Sequence, residues 1–285
     1  MQLGGARILV VGASSGIGRA VALQCAAGGA EVVVAGRRVE HLAAVVTAGL
    51  AAAGGAAGGA AGGAADGAGG GHLHAVTCDV RDPQQCDAVV ADTVATLGGL
   101  DCLVYSTAID PLRRLRDTDA ALWTDVLATN VVGASLVTRA ALPHLQASTV
   151  TGRARAVYIS ASSVGRPLPG MGAYETSKAA LDELTRAWRS EHPEVGFSCV
   201  AVGQTLGTDV YAQWDRDLLV ELSADWSARG YTHDNGPGAM TVEECAGAVV
   251  GAITSPVDLR YVLALPAPGS TMAHTEKAHT EKRGS

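Results

Sequence analysis

Apolar residues in this chain come in short unbroken blocks, several of them closed by glycine and separated by stretches of helical periodicity. The blocks are Arg7-Ile8-Leu9-Val10-Val11, Glu31-Val32-Val33-Val34-Ala35, residues 75–80, residues 101–105, Ala156-Val157-Tyr158-Ile159, residues 196–202 and residues 261–265. A run with no polar alternation fits a strand covered on both faces, as in a parallel sheet. Helical patterns fall between the blocks: residues 19–27, 39–47, 83–97, 118–145, the stretch after Gly172, and residues from Thr241 onward. Asp82-Pro83 sets an N-cap and a first-turn proline for the third of these. The fourth is expected to be interrupted near Gly133 and Pro143. Strand and helix alternating in this way predict an α/β domain.

Two segments break the rhythm. Residues 48–71 are almost wholly Ala and Gly, which carry a large backbone entropy cost and bury little, so a flexible insertion is expected. Residues 209–240 hold Tyr211, Trp214, Trp226 and Tyr231, in a chain with only four Trp and six Tyr, and read as a helical lid over a pocket. The domain is expected to span residues 1–268. Beyond it, residues 269–285 repeat Ala-His-Thr-Glu-Lys and read as a disordered tail.

Composition narrows the function. The 285 residues are 48% hydrophobic and 17% charged with a net charge of -7, so a core is affordable and a nucleic-acid surface is not expected. No leader-like segment and no apolar run near the ~20 residues of a membrane span are read, so neither membrane nor export is expected. Six scattered cysteines with no C-x-x-C pair fit reduced thiols in a cytoplasmic protein. His72 and His74 sit beside glycines with no third ligand nearby, so no metal site is expected.

The chemistry begins at the first strand's end. Gly12-Ala13-Ser14-Ser15-Gly16-Ile17-Gly18 joins strand to helix, where free N–H groups and the helix dipole favour a pyrophosphate. Gly36-Arg37-Arg38 closes the second strand with two cations and no acid. An acid there would bond a free ribose 2′-hydroxyl and an Arg a 2′-phosphate, so the charge favours NADP over NAD. Tyr174 and Lys178 lie one helical turn apart, and an ammonium beside a phenol should lower the phenol's pKa towards use as a proton donor or acceptor. Lys178 is one of three lysines against eighteen arginines, the other two being in the tail. Asn130 is one of only two asparagines and lies within an apolar helical run, where its amide needs partners. Ser160, Ser162 and Ser163 lie past the fifth strand, where a ligand meets side chains in an open α/β sheet.

Taken together, the glycine turn, Asp79, Asn130, the serine loop and Tyr174 to Lys178 resemble the short-chain dehydrogenase/reductase family over about residues 5 to 265. The resemblance implies a single doubly wound Rossmann-type domain with a seven-stranded parallel sheet and helices on both faces. It also implies a homotetramer or homodimer, and NAD(P)-dependent hydride transfer between nicotinamide and a small-molecule carbonyl or alcohol. Carried over, Tyr174 exchanges the proton and Lys178 assists it and holds the nicotinamide ribose. Asn130 holds a relay water, and Ser162 orients the substrate oxygen, with Ser160 and Ser163 as alternatives. Gly12, Ser14, Ser15, Gly16, Ile17 and Gly18 would contact the pyrophosphate, Arg37 the 2′-phosphate, Asp79 and Val80 the adenine, and Thr208 the carboxamide. The chain departs from the family pattern at Val11, at Tyr105-Ser106-Thr107-Ala108, at Gly203-Gln204, and at Ala161, where the family's serine would fall. These departures leave a rival reading open, a nucleotide-binding protein of the same fold without turnover.

Overall fold

The computed structural model describes residues 1–56, 71–231 and 238–267. The apolar blocks form the strands of one parallel sheet: β1 (Arg7–Val11), β2 (Glu31–Gly36), β3 (Leu73–Thr77), β4 (Cys102–Tyr105), β5 (Arg155–Ala161), β6 (Gly196–Val202) and β9 (Tyr261–Ala264). Their order is β3-β2-β1-β4-β5-β6-β9, and every adjacent pair is parallel. The chain therefore winds outward from β1 in one direction and from β4 in the other, leaving a crevice where the two halves part. Ile8, Leu9, Val10 and Val11 of β1 are fully buried, as their unbroken apolar run requires.

Helices cover both faces. On one face α1 (Gly16–Ala27), α2 (Val39–Ala56) and α8 (Val242–Thr254) lie over the sheet, α1 and α8 packing directly together. On the other, α3 (Pro83–Leu97), α5 (Gly133–Gln146) and α6 (Gly172–Glu191) bury Val89, Val90, Val137 and Leu181 against Leu9, Leu103 and Tyr158. The two clusters together supply a core of Val, Leu, Ile and Ala with few aromatics.

Several element ends obey local chemistry closely. The Asp82 carboxylate accepts from the Gln84 N–H at 2.9 Å and opens α3. Thr241 and Glu244 form a reciprocal capping box at the start of α8. Other boundaries moved. The helix expected to stop at residue 47 continues to Ala56, because alanine is the best intrinsic helix former and the first part of the Ala/Gly stretch is alanine-rich. The remainder of that stretch, residues 57–70, lies outside the described residues, as does the expected tail.

The long fourth pattern divides into α4 (Ala120–Leu127), a π-helical turn (Ala128–Val132) and α5. The interruption falls around Asn130, just ahead of Gly133, and Pro143 is accommodated inside α5. Residues 120–146 are long and apolar enough to cross a membrane by length and composition, contrary to the expectation that no such run exists. They pack on the sheet, with Ala134, Val137, Ala141 and Leu145 buried.

Residues 209–231 carry a 3₁₀ turn (Asp209–Gln213) and α7 (Arg216–Ala228). They are tied to the domain by Trp214 Nε1 donating to the Asp110 carbonyl at 2.7 Å and Trp226 Nε1 to the Pro169 carbonyl at 2.9 Å. A short pair unmarked by any apolar run, β7 (Thr205–Leu206) with β8 (Met240–Thr241), closes the base of this segment.

Candidate active site

A cleft of about 690 Å³ opens at the carboxyl end of the sheet, over the crevice between β1 and β4. One end is lined by the glycine turn, Arg37, Arg38 and Asp79, and the other by Tyr174, Lys178, Ser160, Asp110, Leu112 and Tyr211. The position follows from topology: β1, β4 and β5 all deliver their outgoing loops to one edge.

The glycine turn is shaped for close approach. Gly12 has φ +88°, and a Cβ there would meet the Thr107 backbone nitrogen at 2.5 Å. Gly18 lets α1 pack on the turn, since a Cβ would meet the Gly12 carbonyl oxygen at 2.4 Å. Ser15 is the N-cap of α1, with its side chain making no capping bond, so the helix N-terminus keeps its free donors. Thr208 stands across from Gly16 and lines the same cleft.

At the end of β2 both arginines line the cleft, in different settings. Arg38 donates to Ser14 Oγ at 3.0 Å and Ser15 Oγ at 2.6 Å and pairs with Asp209 at 2.7 Å, bridging the glycine turn to the lid segment. This role had no sequence signal beyond charge. Arg37 helps hold Asp79 below the usual carboxylate range, where the Arg81 guanidinium at 2.7 Å is the main cause. Asp79 is thus already matched with cations at the corner where β2 ends. This donor set fits a nicotinamide dinucleotide: glycines at the points of close approach, a helix N-terminus and two guanidinium groups. Arg37, Arg38 and Ser14 to Gly18 would hold its phosphates.

At the other end Asn130 is buried, and its amide is fully used. Its Oδ1 accepts from the Ile109 N–H at 2.8 Å, while its Nδ2 donates to the Ile109 carbonyl at 2.9 Å and to Ser177 Oγ at 2.8 Å. The rare asparagine therefore pins the loop after β4 to the Tyr174 helix. Ser177 was not singled out in the sequence, although it lies between Tyr174 and Lys178.

Lys178 Nζ donates to the Ile159 carbonyl at 2.7 Å and lies 5.6 Å from the centre of the Tyr174 ring. Burial lowers its pKa to about 8, against the opposing pull of Asp110. The expected fall in the Tyr174 pKa is not found. Burial pushes the phenol well above its ordinary value, and Asp110 and Glu175 push it further. Burial is the larger cause, and the carboxyls add to it in the same direction.

The serine position also needs correction. β5 runs through Ala161, two residues further than its apolar block, and the chain turns at Ser162, whose N–H bonds the Val202 carbonyl at 3.0 Å. Ser162 does not line the cleft. Ser160 does, and its Oγ is buried without a protein partner among the described residues. Ser163 donates a short bond to Glu175.

Asp110 and Glu175 were missed altogether. Burial raises each to about 7, with Lys178 opposing. The signal available was slight: an acid in the loop after β4, where the sequence shows only a departure. The sign of the stability effect is fixed. Between the ordinary 3.8 and about 7, folded Asp110 holds a proton that the unfolded chain has lost, so its contribution to stability falls as pH rises through that window. Asp110→Asn should therefore raise thermal stability, by on the order of 1–4 kcal/mol near pH 7.5 and by clearly less near pH 5. Melting scans at the two pH values check this. An equal gain at both contradicts the buried carboxyl.

Comparison with known proteins agrees with this geometry. A family model described as short chain dehydrogenase matches residues 6–218. The chain is 30% identical over 225 residues to a short-chain type dehydrogenase/reductase of Picea abies, covering 77% of each. It is 31% identical over 204 residues to 11-beta-hydroxysteroid dehydrogenase A of Sesamum indicum, covering 71% of this chain and about half, 53%, of that protein. Among solved structures, a dehydrogenase/reductase from Sinorhizobium meliloti superposes with TM-score 0.71 at 26% identity, covering 92% and 95% of the two chains. A short chain dehydrogenase from Burkholderia cenocepacia in complex with NADP gives 0.73 at 23% identity, over 93% and 98%, a likeness of fold alone. The chain belongs to the short-chain dehydrogenase family, NAD(P)-dependent oxidoreductases acting on CH–OH and carbonyl groups.

Proposed function

We propose that this chain is an NADP(H)-preferring reductase or dehydrogenase for a small to medium, largely apolar carbonyl or alcohol, with its reaction centre at Tyr174. The observation that carries the reading is the single cleft joining the glycine turn and Arg37 to Tyr174, Lys178 and Ser160. A nicotinamide nucleotide bound there supplies the hydride. The protein supplies position and the proton. Tyr174 Oη gives a proton to the carbonyl oxygen in reduction and takes one from the alcohol in oxidation. Its high pKa in the nucleotide-free site keeps it protonated, as a donor must be. Lys178, with a pKa near 8, can replace that proton at neutral pH. Ser160 Oγ, buried and unpartnered, is the better placed serine for orienting the substrate oxygen. Leu112, buried, and Tyr211 line the same cleft and give it apolar surface for the substrate.

The experiment is a carbonyl panel with NADPH, which should show turnover that Tyr174→Phe abolishes. Ala161, where the family's serine would fall, and the altered turn at Tyr105-Ser106-Thr107-Ala108 favour the rival, a nucleotide-binding protein without turnover. Tight NADPH binding with no consumption, and no effect of Tyr174→Phe, would decide for it.

Cofactor preference rests on the charge at the end of β2. Arg37→Asp should weaken NADPH binding by at least tenfold, about 1.4 kcal/mol, while changing NADH binding little. Titration of each nucleotide by fluorescence reads this, and equal losses for both would sink the assignment. We further propose a homodimeric or homotetrameric, cytoplasmic protein, which the six buried free thiols support only as to redox state.

A further inference from the structure

Asp110 has no part in the chemistry above, yet it lines the same end of the cleft as Tyr174, Lys178 and Ser160. Its backbone is fixed on both sides. Trp214 Nε1 donates to its carbonyl at 2.7 Å, and the preceding Ile109 is held at N–H and C=O by Asn130. A residue positioned so firmly holds its carboxyl at one place in the cleft. Oδ1 of that carboxyl is buried and has no hydrogen-bond partner among the described residues. The nearby cation, Lys178, acts on this carboxyl through its charge, while its Nζ donates to the Ile159 carbonyl. The other ionisable groups whose charge acts on this position or feels it are Glu175 and Tyr174 of α6 and Tyr211 of the lid segment. The neighbours of Asp110 in the lining, Pro111 and Leu112, carry no side-chain donor. A buried acceptor left unmatched is costly unless a ligand completes it.

Building on the reading of Tyr174 as the reaction centre, we propose that Asp110 sets substrate specificity by accepting a hydrogen bond from a donor close to the reacting carbonyl. The substrate class is then an otherwise apolar hydroxyketone or aminoketone, or the matching alcohol. A site built to pair with a donor rejects the analogue lacking it, because the acceptor stays desolvated and unpaired. Simple ketones are thereby disfavoured.

The test compares acetophenone, α-hydroxyacetophenone and α-aminoacetophenone with NADPH in the wild type, Asp110→Leu and Asp110→Asn. Differences in intrinsic reactivity among the three ketones cancel when wild-type and variant ratios are compared. Wild type should favour at least one donor-bearing ketone over acetophenone, and Asp110→Leu should reduce that kcat/KM ratio by roughly tenfold or more through the donor-bearing ketone alone. Asp110→Asn distinguishes the two donors. An amide oxygen still accepts from a hydroxyl, so a hydroxyketone preference survives, whereas a preference for the ammonium falls with the lost charge. Should Asp110→Leu fail to fold, Asp110→Ala, which also removes the acceptor, decides in its place: a kcat/KM ratio unchanged from wild type overturns the proposal. Acetophenone turnover that Tyr174→Phe abolishes, with the same ratios in wild type and Asp110→Leu, overturns this proposal alone. Absence of turnover on any ketone, with no effect of Tyr174→Phe, overturns the underlying reading and this one with it.

Discussion

Tyr174→Phe should lower kcat for NADPH-dependent carbonyl reduction by about 10²–10⁴-fold, the range a positioned proton donor contributes, and leave nucleotide affinity within a few-fold. The two readouts separate because the phenol oxygen and the phosphate cradle lie at opposite ends of the cleft. The ring itself is needed in place. Tyr174 packs with Leu112, Met171 and Leu222 in the small cluster beneath the lid, and Phe preserves that packing while deleting only the hydroxyl. The fold is therefore expected to be intact, with a melting temperature near that of the wild type. A fall in kcat below tenfold would show that Tyr174 is not the proton donor. A parallel collapse of nucleotide binding would show that the substitution disturbed the cleft and not the chemistry.

Gly18→Val should be at least as damaging, by a different route. Even one methyl group at residue 18 would stand 2.4 Å from the Gly12 carbonyl oxygen and 3.1 Å from Ser106 Cβ. The first contact is with backbone, so no rotamer change relieves it. The turn must move away from α1, which displaces the free N–H groups of the helix N-terminus from the phosphate position. The expected result is a loss of roughly 1–3 kcal/mol in stability together with loss of measurable NADPH binding at concentrations that saturate the wild type. Gly16→Ala provides the contrast. A Cβ at Gly16 has no neighbour closer than 3.6 Å, so its effect is limited to the strain of a φ of +56° and should be milder. Similar losses for Gly16→Ala and Gly18→Val would argue that backbone freedom, and not the approach of α1, makes the turn work.

Much of the fold was legible because the buried strands leave no choice of face. Residues 196–202 read as a strand and form one with the same ends, and β1 does likewise. Capping chemistry was readable at Asp82, where a local hydrogen bond fixes the boundary, and the last helix begins at Thr241 as expected, on a capping box that was not read. β3 was placed two residues late, because the apolar run continues into Cys78, Asp79 and Val80, which have left the sheet to line the cleft. Nothing in residue type announces a π turn at Ala128–Val132 or the pairing of Thr205–Leu206 with Met240–Thr241. Both depend on contacts between residues distant in the chain.

The candidate site divides along the same line. Gly12, Ser14 to Ile17, Arg37, Asp79, Val80, Thr208, Tyr174 and Lys178 line one cleft; the family resemblance had named all of them. Asn130 lies behind them, anchoring Ile109 and Ser177. What the sequence could not convey is protonation. The phenol's pKa is raised first by burial and then by Asp110 and Glu175, and how deeply these groups are enclosed is a matter of tertiary packing. Ser162 was misplaced for a geometric reason. Spacing counts residues, while the strand's end at Ala161 decides which serine reaches the cleft.

The central claim is that hydride passes to a carbonyl in the cleft at Tyr174. Its most direct test is incubation of the protein with a ketone and NADPH deuterated at the hydride-donating position, followed by mass analysis of the alcohol. The account predicts one deuterium on the carbinol carbon, formed by the wild type and not by Tyr174→Phe. Recovery of unreacted ketone alone, or of alcohol without deuterium, would contradict it.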